Sequence, residues 1–117
     1  MADSPTILVV DDDDQLRRVV VRVLARAGYC VLESSDGAEG LSKLRDALVH
    51  AVVSDVQMPG MDGAALLAEM LALRPNVPIV LMTGANPGFD TKGAYDLLMK
   101  PFTPESLREV VERALAA

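Results

Sequence analysis

Aromatic residues are nearly absent: two Phe, two Tyr and no Trp in 117 residues. Val, Leu and Ala must therefore fill any core, and half of the chain is apolar, which excludes a disordered polymer. Cysteine is also scarce. The single Cys30 excludes an internal disulfide, and its apolar neighbours predict that it packs as a small hydrophobe. No apolar run approaches the length needed to cross a bilayer. The start, Met1-Ala2-Asp3-Ser4-Pro5, lacks the basic region and hydrophobic stretch of a signal peptide, so a cytoplasmic location is expected. Basic residues are outnumbered, 11 against 17, for a net charge of −6. That argues against direct nucleic-acid binding, and it suits a cation site or a partner with a basic patch. The length fits one domain spanning 1–117, and no repeat, low-complexity tract or linker interrupts it.

What the chain does contain is a regular alternation. Thr6 to Val10 is apolar and β-branched, and predicts a buried strand. Leu16, Val19, Val20, Val23, Leu24 and Ala27 then mark one face of a helix, with Gly28 as its stop and Arg17, Arg18, Arg22 and Arg26 largely off that face. Tyr29 to Leu32 predicts a second strand. Asp36 is a candidate N-cap for a second helix with Ala38, Leu41, Leu44 and Leu48 inward. Ala51 to Ser54 predicts a third strand, and Ala64 to Leu73 a third helix after the turn residues Pro59, Gly60 and Gly63. Val77 to Met82 and Ala94 to Met99 predict the last two strands. Thr103 as N-cap and Pro104 at the first position open a final helix with Leu107, Val110, Val111, Ala114 and Leu115 as its stripe. Between Thr83 and Gly93 the sequence has no helical period and is rich in Gly and Pro, so a fourth helix there is reduced or absent. Strands alternating with helices give an α/β fold: a doubly wound, five-stranded parallel sheet covered on both faces.

The predicted strand ends carry the chemistry. The first runs into Asp11, Asp12, Asp13 and Asp14, the third ends at Asp55, the fourth at Thr83 and the fifth at Lys100. In a parallel sheet these ends share one edge, where ligands bind. Clustered carboxylates repel one another unless a cation neutralises them, and oxygen ligands with several waters suit Mg²⁺. Lys100 and the Thr83 hydroxyl can hold phosphoryl oxygens. Asp13 and Asp14 fit the first turn of the first helix rather than a ligand role. Lys92 lies in the breaker-rich loop, away from any strand end.

With these residues the chain resembles the response-regulator receiver domains of two-component signal transduction, the CheY-like family. The resemblance rests on Val9-Val10-Asp11-Asp12, on Ser54-Asp55 with Met58-Pro59-Gly60-Met61-Asp62-Gly63, on Met82-Thr83, and on Lys100-Pro101-Phe102. It covers almost the whole chain, with the motifs in order. It implies a flavodoxin-like sheet of strand order 2-1-3-4-5. It implies that Asp55 is the phosphoacceptor, that Asp11, Asp12, Asp55 and the Gln57 carbonyl form the Mg²⁺ site, that Thr83 and Lys100 hold phosphoryl oxygens, and that the Lys100–Pro101 peptide is cis. The implied activity is a phosphorylation-dependent switch that catalyses its own phosphorylation and dephosphorylation rather than a conventional enzyme. The implied partner is a histidine kinase or phosphotransfer protein of a phosphorelay, with the downstream partner unknown and a weak dimer allowed. The usual strand-five aromatic is replaced by Leu97. Two other readings compete. A haloacid-dehalogenase-type phosphohydrolase also uses an Asp nucleophile after strand one, but the residues following Asp12 do not match and no cap segment is present. A flavodoxin-like binding protein needs a Gly, Ser or Thr loop after strand one, where this chain has four carboxylates.

Overall fold

Alternation along β1 (Thr6–Val10) sets the architecture. Ile7 and Val9 point into one apolar cluster, Leu8 and Val10 into another, so both faces of the strand are buried. A strand of this kind must lie inside a sheet with helices on either side. The computed structural model describes residues 4–58, 60 and 62–117. Pro59, Met61 and the start of the chain through Asp3 lie outside the described residues. β1, β2 (Cys30–Ser34), β3 (Ala51–Asp55), β4 (Ile79–Thr83) and β5 (Asp96–Met99) form one parallel sheet of order β2-β1-β3-β4-β5. The register pairs Val10 with both Ser34 and Ser54, Asp55 with Met82, and Thr83 with Met99, which brings the strand ends to one edge.

α1 (Asp14–Arg26) and α4 (Pro104–Ala116) cover one face. Val20 and Leu24 of α1, with Leu107, Val110, Val111 and Ala114 of α4, pack on Ile7, Val9, Val53, Val80, Met82 and Leu98. α2 (Gly37–Asp46) and α3 (Gly63–Leu73) cover the other, through Leu44, Leu66, Leu67 and Met70. Each Val, Leu, Ile or Met side chain so buried contributes about 1.5–3 kcal/mol by leaving water. Gly40 lets α2 approach closely, since a Cβ there would lie 2.8 Å from Val10 Cγ2. The caps are as expected: Asp36 accepts from the Glu39 N–H, and Thr103 forms a capping box with Ser106, with Pro104 in the first turn. Asp13 caps α1 through the N–H groups of Gln15 and Leu16, and Gly28 turns the chain out of it at φ +98°.

Some expectations are corrected. Cys30 is exposed, because β2 is an edge strand and its first residue faces out. Ala38 and Leu48 also face solvent; the buried residues of α2 are Gly37, Gly40 and Leu44, and Leu48 lies beyond the helix end. Val19 of α1 is half exposed. The link from β4 to β5, residues 84–95, contains no helix, as its breakers predict. It is not loosely packed, however: Phe89 and Ala94 pack against the α2–α3 side of the core. Among the described residues no helix is long and apolar enough to cross a membrane.

Candidate functional site

Asp11 follows the last residue of β1 and is fully buried. Its backbone N–H donates to the Ser34 carbonyl at 3.1 Å, which fixes it to β2. Its Oδ1 accepts from the Asp13 N–H at 2.9 Å, while Oδ2 is buried without a hydrogen-bond partner. Burial pushes the Asp11 carboxyl up from 3.8 to about 6; Asp55 and Asp12 push the same way, and the Asp13 N–H and Lys100 oppose them. Asp55 ends β3, is 5 % exposed, and accepts from the Gln57 N–H at 3.1 Å. Asp12 is exposed at the rim. One carboxylate oxygen from each of Asp11, Asp12 and Asp55 falls within 4.8 Å of the others.

Lys100 supplies the positive charge. It follows β5, its N–H donates to the Thr83 carbonyl at 2.7 Å, and its Nζ lies 3.4 Å from Asp55 Oδ1. The Lys100–Pro101 peptide is cis, as expected. Thr83 ends β4 and is fully buried at the same edge. Its hydroxyl donates to the Ala85 carbonyl and accepts from the Ala85 N–H at 3.3 Å, so it is held by the following loop rather than by the acids. Gln57 is exposed beside Asp55. Asp13 and Asp14 stand apart from the cluster, one as the α1 cap and the other paired with Arg17 at 2.7 Å. Lys92 lies in the β4–β5 link, where its N–H bonds Asp90.

One contributor escapes a reading by helical face. Arg17 Nη1 donates to the Asp11 carbonyl at 2.7 Å while its guanidinium pairs with Asp14 and Glu33. These bonds, that to Asp14 first, raise its affinity for its proton. Arg17 thus ties the β1 end to α1 and β2. The Asp14–Arg17 spacing was the available signal, but long-range pairing with Glu33 was not visible.

The arrangement is an anionic pocket with one ammonium on its wall. Three crowded carboxylates, one of them carrying an orphaned buried oxygen, fit a hard divalent cation such as Mg²⁺. A groove of about 380 Å³ opens beside it, lined by Asp13, Leu16, Val19, Lys100, Pro101 and Phe102.

Known proteins share this plan. The family model described as response regulator receiver domain matches residues 7–112. The C4-dicarboxylate transport transcriptional regulatory protein DctD of Rhizobium meliloti (strain 1021) is 36% identical over 97% of this chain and 26% of its own length. The DNA-binding transcriptional regulator NtrC of Escherichia coli (strain K12) is 39% identical over 94% of this chain and 24% of its own length. The chain thus spans about a quarter of the length of these curated relatives. The Vibrio cholerae chemotaxis protein CheY4 superposes with a TM-score of 0.87 at 31% identity, covering 96% of this chain and 99% of that one. With the sheet order, the acid cluster and the family match in agreement, the chain belongs to the response regulator receiver domain family.

Proposed function

We propose that residues 1–117 form one receiver domain that acts as a phosphorylation-dependent signalling switch, with Asp55 as phosphoacceptor. The observation that carries this reading is the setting of Asp55: a strand-end carboxylate that belongs to the acid cluster and has Lys100 Nζ 3.4 Å from its Oδ1. An Asp55 oxygen attacks the phosphorus of a phosphohistidine, the P–N bond breaks, and the imidazole keeps the electron pair and takes up a proton. Lys100 pairs with one phosphoryl oxygen, and Thr83 donates its hydroxyl to another. Asp11, Asp12, Asp55 and the Gln57 carbonyl would hold Mg²⁺, which supplies neutralisation of the charge that gathers on the phosphoryl oxygens. The same site serves hydrolysis, which resets the switch.

The phosphodonor is a histidine kinase or phosphotransfer protein. Its docking is supported by the groove beside Lys100 and by Arg18, Arg22 and Arg26, which are exposed at helical spacing on α1 and make no ion pair among the described residues. Such a ridge suits an acidic helix. The hydrolase alternative gains no support: the family match is to receiver domains, and the run Asp11-Asp12-Asp13-Asp14 after β1 does not fit the hydrolase motif. The test is incubation with acetyl phosphate and Mg²⁺ followed by intact mass. One acid-labile phosphoryl group is expected, absent in Asp55→Asn and absent with EDTA. Full labelling of Asp55→Asn would overturn the assignment.

A further inference from the structure

The position usually occupied by the strand-five aromatic holds Leu97, yet an aromatic ring does stand near the site. It comes from the helix-free link. Phe89 packs against the core, and its ring lies against Gly63, the first residue of α3: a Cβ on Gly63 would sit 3.0 Å from Phe89 Cε1. The same Cβ would lie 2.5 Å from the carbonyl of Val56, the residue after Asp55. Phe89 therefore rests on the joint between the Asp55 turn and α3. The link is held at two other points. Thr83 grips Ala85 through both its hydroxyl bonds. Gly93, at φ +97°, lies so close to α3 that a Cβ there would come within 2.6 Å of Leu71 Cδ1.

A threonine hydroxyl has one proton to donate. If Thr83 gives it to a phosphoryl oxygen on Asp55, the Ala85 carbonyl loses it. Ala85 is joined to Phe89 by a tight segment in which Pro87 fixes one φ and Asn86 Oδ1 accepts from the Gly88 N–H at 3.1 Å. A displacement at Ala85 thus has only three residues to cross before it reaches Phe89, while Gly93 lies against Leu71 at the far end. We propose that Phe89 is the aromatic that reports phosphorylation in this chain, its ring unseating from Gly63 when Thr83 releases Ala85, so that the first turn of α3 is repositioned. The output surface is then the Phe89–α3 junction. This rests on the reading of Asp55 as phosphoacceptor.

The chain has two phenylalanines, Phe89 and Phe102, so biosynthetic fluorophenylalanine gives two fluorine resonances, assigned with Phe102→Leu. Beryllofluoride with Mg²⁺ mimics the phosphoryl group, and its bound form has a fluorine signal of its own that reports occupancy. The Phe89 resonance is expected to shift on binding in the wild type and to stay in place in Thr83→Ala at equal occupancy. A Phe89 resonance that stays in place while beryllofluoride is bound, or that shifts equally in Thr83→Ala, overturns the proposal and leaves the phosphoacceptor reading standing. Absence of bound beryllofluoride overturns both.

Discussion

Replacing Asp11 with Asn should stabilise the metal-free domain, although it removes a residue of the candidate site. Burial and two neighbouring acids lift the Asp11 carboxyl from 3.8 to about 6. A shift of that size makes ionisation in the folded state unfavourable by about 3 kcal/mol at pH 7, taking ~1.4 kcal/mol per pH unit. The folded state binds this proton more tightly than the unfolded chain does. The associated stability is therefore complete below about pH 4, falls as pH rises through about 6, and is level above that. Asn carries no proton to lose, and its Oδ1 can still accept from the Asp13 N–H. Asp11→Asn should thus gain up to about 3 kcal/mol at pH 7, or on the order of 10 °C in midpoint, and almost nothing at pH 4. Urea titrations of both proteins in EDTA across pH 4–8 would show this as two curves that converge on acidification. Saturating Mg²⁺ should then stabilise the wild type more than the variant, which keeps the Asp12 and Asp55 carboxylates but has lost the third. A variant no more stable than wild type at pH 7, or one whose advantage persists at pH 4, would refute the reasoning.

Two further outcomes are expected. Arg22→Glu should slow phosphotransfer from a histidine kinase by roughly tenfold or more through lost charge complementarity, while labelling by acetyl phosphate is unchanged; equal slowing of both would place Arg22 in folding rather than docking. Gly63→Ala should cost about 1–3 kcal/mol in a urea titration, since its methyl meets both Val56 O and Phe89 Cε1; a neutral result would mean that neither the Val56 carbonyl nor the Phe89 ring closes on Gly63.

The sheet was legible because each apolar run stops at a polar residue, and those stops are also the site. Asp11, Asp55, Thr83 and Lys100 were found by the same rule and do share one edge. That rule misplaces boundaries where pairing outlasts hydrophobicity. β2 continues through Glu33 and Ser34 because they pair with Val9 and Val10, although neither is apolar. Cys30 was misread for the converse reason: an apolar run does not reveal that its strand lies at the sheet edge. The lack of a helix before β5 was visible in Gly84, Pro87, Gly88 and Gly93. What holds that segment was not, because Phe89 on Gly63 and Gly93 on Leu71 are contacts between segments with no common period.

The parallel sheet also separates two kinds of turn. Every group discussed for phosphoryl chemistry sits at the carboxyl edge, whereas the returns from helix to strand run along the opposite edge. Leu48 lies on one of these returns, between α2 and β3, and is 78% exposed. The chain there can be lengthened without disturbing either the acids or the groove beside Lys100. A fluorescent protein or an affinity tag inserted at Leu48 would therefore ride on the domain through its phosphorylation cycle. The signalling unit is, in this sense, already equipped with a handle.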